Sequence, residues 1–182
     1  MIRDFLQETK DAIDRISVDQ IRQVSCVIES TVGRLFIVGS GGGAAHASHA
    51  ACDFRKLCGI ESYAPYDNVT ELTARTNDEG WEMSVVGYLK ASNFNCFDCL
   101  FVFSVGGGSD KVSLNLSQAI IYAHAVGAKV VGIVGREKCT LTEFANAWVV
   151  IQSKLMTPVV EGLQSVIHHL IVTKLQINKP IW

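Results

Sequence analysis

Runs of consecutive apolar residues punctuate this chain, and helical stripes fill the spaces between them. Leu35-Phe36-Ile37-Val38, Leu100-Phe101-Val102-Phe103, Lys129–Val134 and Ala147–Ile151 are such runs, with a shorter candidate at Glu61–Pro65. Short continuous runs predict strands buried on both faces. Upstream, Ile2, Phe5, Leu6, Ile13 and Ile16 fall on one helical stripe, and Ile21, Val24, Ile28 and Val32 on a second. Ser17 with Gln20 three residues on resembles a capping box that restarts the helix. An alanine-rich helix is expected after Gly43. Residues 68–80 read as a short helix followed by a polar turn, Thr76-Asn77-Asp78-Glu79-Gly80. Further helices are expected at Trp81–Lys90 (Trp81, Val85, Tyr88 and Leu89 inward), Val112–Val126, Thr140–Asn146 and Pro158–Gln176.

Buried strands alternating with helices define a doubly wound parallel sheet, an α/β three-layer sandwich. The 182 residues suit one domain, with residues 1–32 as a helical pair preceding the first strand. The apolar stripe of that pair suits a second subunit or the chain's own core, and the pattern leaves both open.

Composition narrows the class. With 16 basic and 18 acidic residues the charge is nearly balanced, which excludes a basic nucleic-acid surface as the main theme. No apolar run reaches the roughly 18–20 residues of a membrane span, and no signal-peptide pattern is present. The six cysteines are scattered, so a reduced, cytoplasmic protein is expected. Cys96-x-x-Cys99 runs into a strand without a second pair, which reads as structural cysteine.

The chemistry gathers where two strands end. The first is followed by Gly39-Ser40-Gly41-Gly42-Gly43 and the second by Ser104-Val105-Gly106-Gly107-Gly108-Ser109. Glycine loops between a strand and a helix converge backbone N–H groups on an anion, and doubly wound folds bind ligands at the carboxyl ends of strands. Gly39-x-Gly41-x-x-Ala44 also matches the relaxed dinucleotide fingerprint. Its confirming acidic residue should end the second strand, whereas Glu61 begins it. Two glycine loops, the second bracketed by serines, favour a phosphosugar.

Taken together, GSGGGAAHASH, TNDEG and SVGGGS resemble the motifs of the sugar isomerase (SIS) domain, in its phosphoheptose isomerase branch, over nearly the whole chain. The resemblance implies an aldose–ketose isomerase converting sedoheptulose 7-phosphate to a heptose 7-phosphate through an enediol. That reaction begins the route to activated heptose for bacterial surface polysaccharides. It further implies a homotetramer with active sites at subunit interfaces, and a zinc ion in each subunit. His49 falls on the family's first histidine, Asp53 on its glutamate, His168 on its last histidine and Val160 on its glutamine. The implied ligands are His49, Asp53, Glu161 and His168, and the implied acid–base pair is Asp53 and His168. His168 is preferred to His169, which lies about 100° further round the helix and suits an interface or core edge. The implied substrate contacts are Ser40, Gly41, Gly42, Asn77, Asp78, Ser104, Val105, Gly106 and Ser109, with Val105 and Gly106 standing where the family has hydroxyls. His46 takes the place of a family aspartate. The alternatives are an isomerase of another sugar phosphate, or a non-catalytic SIS protein that binds a phosphosugar or a partner such as the replication initiator.

Overall fold

Every strand expected from an apolar run is present, and all lie parallel in one sheet. The structure, a computed structural model, describes residues 1–154 and 157–176. The strands β1 (Leu35–Gly39), β2 (Ser62–Tyr63), β3 (Cys99–Ser104), β4 (Lys129–Val134) and β5 (Ala147–Val150) are ordered β2-β1-β3-β4-β5. The order reverses between β1 and β3, which pair from Leu35 opposite Cys99 to Gly39 opposite Phe103. Both glycine loops therefore leave the sheet side by side at its switch point.

Alternation along the strands builds two cores. Leu35, Ile37, Phe101, Phe103, Val131 and Ile133 face α2 (Val18–Glu29), α3 (Gly42–Cys58) and α8 (Thr157–Gln176). Phe36, Val38, Leu100, Val102, Val130 and Val134 face α5 (Ser84–Ala91), α6 (Leu114–Ala125) and α7 (Thr140–Phe144). Burying each large apolar side chain contributes about 1.5–3 kcal/mol, so continuous apolar strands are what a twice-covered sheet requires. At the amino ends of β1 and β3, buried Asp98 accepts hydrogen bonds from Arg34 N, Nε and Nη2.

The N-terminal pair divides its task. Ser17 Oγ accepts the Gln20 N–H at 3.3 Å, capping α2 as expected. The Gln20 side chain does not close the box; its Oε1 accepts from Val150 N and ties α2 to β5. Val24 and Ile28 of α2 are buried in the core, whereas α1 (Ile2–Asp14) leaves Ile2 74%, Leu6 55% and Ile13 46% exposed.

Two local expectations are corrected. Thr76–Glu79 is not a turn but the last turn of α4 (Val69–Glu79), ended by Gly80 at φ +88°. This helix buries no residue, and is braced instead by Arg75, which pairs with Glu71 at 2.7 Å and Glu79 at 2.8 Å. Such i,i+4 pairs can hold a helix that lacks an apolar stripe. Trp81 is not inward but 43% exposed, stacked on Tyr66 in a short 3₁₀ turn before α5. Cys99 is buried, which pushes its thiol up to about 12, while Cys96 is exposed.

Candidate active site

The site is built where α3 crosses α8. The contact face of α3 is small: Gly43, Ala47, Ala50 and Ala51 are buried on it, which lets the helix lie close to β1 and α8. His49 and Asp53, four residues apart, share its flank, and their side chains meet with Nε2 3.2 Å from Oδ2. On α8 the buried positions Val160, Leu163, Gln164, Ile167, His168 and Ile171 follow a helical stripe. That stripe points His168 into the seam, fully buried, with Nε2 3.2 Å from the same Asp53 Oδ2. His169, half-exposed, reaches that oxygen at 3.5 Å, its ring centroid 3.9 Å from that of His168.

Three imidazole nitrogens thus converge on one carboxylate oxygen, which offers roughly two lone-pair sites. Burial drives the His168 imidazolium down to about 4, against the opposing pull of its hydrogen bond to Asp53. His168 is therefore neutral near pH 7, the form that ligates metals. Its Nδ1 is buried without a partner among the described residues. The four donor atoms of His49, Asp53, His168 and His169 lie within 4.8 Å of one another, a group that could hold a metal ion. Adjacent vertices of a tetrahedron with zinc–donor bonds of about 2.0–2.1 Å stand about 3.3 Å apart, and the three contacts to Asp53 bracket that spacing.

Glu161 is not among the four grouped donors. It shares a face of α8 with His168, but seven residues of helix separate them by about 10 Å. Its carboxylate lies instead over Gly42, where a Cβ would stand 2.7 Å from its Cδ. Between them the buried Gln164 donates to the Ile133 carbonyl at 3.0 Å, fastening α8 to β4. Val160, in the place expected for a glutamine, packs on Gly135.

The loops provide the rest. Gly41 caps α3 at φ +59°, and Ser40 accepts a 3.4 Å hydrogen bond from Asn115 Nδ2. Asn115, fully buried on the first turn of α6, also donates to Tyr66 Oη and leaves its own Oδ1 without a partner among the described residues. Sequence reasoning passed over it; the signal was a lone amide inside Leu114-Asn115-Leu116. In the second loop Gly106 and Ser109 line a cavity of about 120 Å³. Ser104 is instead buried, its Oγ accepting from Gly107 N at 2.9 Å, and the Val105 carbonyl accepts from Gly135 N. These two brace the loop. Asn77 and Asp78 are exposed on α4 and bonded to each other, outside the metal-ligand group. His46 lies beside Phe103 with Nε2 buried and without a partner among the described residues. A larger opening of about 480 Å³ lies at the amino ends of β1 and β2, among Gly33, Arg34 and Glu61, away from this chemistry.

Comparison with known proteins bears out the fold. The phosphoheptose isomerase of Neisseria gonorrhoeae superposes with a TM-score of 0.84 over 96% of this chain and 94% of that one, at 19% identity. No family model matches the chain. In sequence it is 28% identical over 182 residues to the phosphoheptose isomerase of Syntrophotalea carbinolica, covering 93% of this chain and 89% of that protein. It is also 32% identical over 150 residues to the lincomycin biosynthesis protein LmbN of Streptomyces lincolnensis, covering 75% of this chain and 54% of LmbN. In sequence the chain is thus similar to phosphoheptose isomerases over nearly its whole length, and it shares their fold.

Proposed function

We propose that this protein is an aldose–ketose isomerase acting on sedoheptulose 7-phosphate, with a heptose 7-phosphate as product. The observation that carries the reading is the convergence of His49, His168 and His169 on Asp53, beside two glycine loops at the switch point of the sheet. The phosphate sits at the second loop, and the first loop lets the sugar approach the backbone of α3. Asp53 Oδ2 is occupied by imidazoles, which leaves Oδ1 to take the proton from C1 and return it to C2 of the enediol. Burial keeps His168 neutral, and its Nε2, 3.2 Å from Oδ2, holds the Asp53 carboxylate in position within the acid–base pair. General acid–base help of this kind contributes typically about 10²–10⁴-fold.

His49, Asp53, His168 and His169 would hold a zinc ion, whose chemistry is Lewis acidity toward sugar oxygens. The assembly is a homotetramer, with α1 as a contact and the half-exposed His49–His169 edge closed by a neighbouring subunit. Exposed Val166 and Leu170 on α8 support that edge as an interface. Among the described residues no helix is long and apolar enough to cross a membrane, and with its reduced cysteines the protein acts in the cytoplasm. The test is turnover of sedoheptulose 7-phosphate, with and without added zinc. Heptose 7-phosphate formation is the expected result. Absence of turnover with any sugar phosphate, together with tight binding to a protein partner, would place the chain with the non-catalytic SIS proteins.

A further inference from the structure

We propose that Arg136 and Ser113 are the phosphate clamp of this chain, a pair that lies outside the serine-bracketed loop itself. This deepens the sugar-phosphate reading above and rests on it. The cavity at the second glycine loop is lined by Gly106, Gly108, Ser109, Val112, Ser113 and Arg136, with a volume of about 120 Å³. That is the room of about four waters, enough for one phosphoryl group and too little for a sugar ring.

Its lining has the chemistry of an oxyanion site. Arg136 follows the carboxyl end of β4, next to the loop. It enters no ion pair among the described residues; the neighbouring Glu137 is taken by Gln152 Nε2 at 2.6 Å. An unpaired guanidinium beside hydroxyls is the usual partner of a phosphate, held through a planar fork of donors. Ser113 is the N-cap of α6, where a serine hydroxyl normally accepts a backbone N–H of the first turn. Here its backbone is left-handed, at φ +55°, and the side chain makes no capping bond. The hydroxyl is thus not used by the helix, and the residue lines the cavity. A strained backbone at a non-glycine residue persists where the surroundings hold it, and such positions cluster at ligand sites. Ser109 supplies the second hydroxyl; its Oγ accepts from Lys111 N and Val112 N, which leaves its O–H free to donate. The positive end of α6, a helix of 12 residues, opens on the same space.

The test measures inorganic phosphate binding by calorimetry alongside the kinetics of sedoheptulose 7-phosphate. In Arg136→Met, phosphate affinity should fall and KM should rise by about 10- to 100-fold, the range for a lost charged hydrogen bond. The kcat should stay within about threefold, since the clamp holds the end of the sugar remote from C1 and C2. Arg136→Lys should recover part of the affinity. Ser113→Gly, which relaxes the backbone, should still lose phosphate affinity. Unchanged phosphate affinity in Arg136→Met would overturn the clamp. Arg136-dependent phosphate binding without any sugar-phosphate turnover would uphold the clamp and refute the isomerase. Turnover with a KM indifferent to Arg136 would do the reverse.

Discussion

Asp53 Oδ2 is where three imidazoles meet, and the arrangement separates two residues that the sequence pattern joined. Glu161 and His168 share a helical face, yet only His168 reaches Asp53, while His169 reaches it from the next position round. Replacing His169 by alanine should therefore weaken zinc binding by at least about 100-fold, more than the loss typical of a supporting group. Glu161→Gln should leave zinc affinity within about threefold. Competition against a chromophoric chelator measures both, and equal losses in the two variants would restore Glu161 as a ligand. The His49–Asp53 pair was legible from i,i+4 spacing, whereas His168 was named from the resemblance and only its face from helix geometry. His169 was not legible. Face arguments assume a target in the middle of the stripe, and Asp53 sits at its rim, within reach of both flanks. Ser113 was equally hidden, since the helix expected from Val112 places it inside, whereas α6 starts at Leu114 and leaves Ser113 left-handed at its cap.

Between β1 and α3, two glycines three residues apart carry different constraints. A Cβ on Gly39 would stand 2.2 Å from the Gly43 carbonyl oxygen, a backbone atom that cannot move alone. Gly39→Ala should destabilise the fold by about 1–3 kcal/mol, the usual cost of overpacking, as read by denaturant unfolding. On Gly42 the obstacle is the end of a flexible side chain, the Glu161 carboxylate. Gly42→Ala should then stay within about 1 kcal/mol of wild-type stability while displacing Glu161, since alanine also favours the helix. Equal destabilisation by both would show that Glu161 cannot swing aside. The loop was legible as a glycine turn that gathers N–H groups on an anion; the first demand on Gly39 comes from the turn's own backbone. Helix α4 was half legible. Asn68 caps it at Glu71 N, but Asn77-Asp78-Glu79-Gly80 has turn composition, and only the Arg75 ion pairs reveal that the helix continues.

At the scale of the molecule, parallel strands and two covered faces followed from continuous apolar runs alternating with helices. The strand order did not, because apolar runs carry no information about which neighbour each strand chooses. That order is what brings Gly39 beside Phe103 and so joins the two loops into one site. The helix stripes were also silent on the division of the N-terminal pair, in which α2 closes the core and α1 keeps an apolar stripe outward. The central claim is that Asp53 moves a proton between adjacent carbons of a bound sugar phosphate. It is tested most directly by running the zinc-supplemented protein with sedoheptulose 7-phosphate in heavy water and following deuterium by NMR. Wild type should form heptose 7-phosphate carrying deuterium at C2, and Asp53→Asn should slow both turnover and exchange by about 10²–10⁴-fold. Turnover and exchange in Asp53→Asn at the wild-type rate would contradict the account.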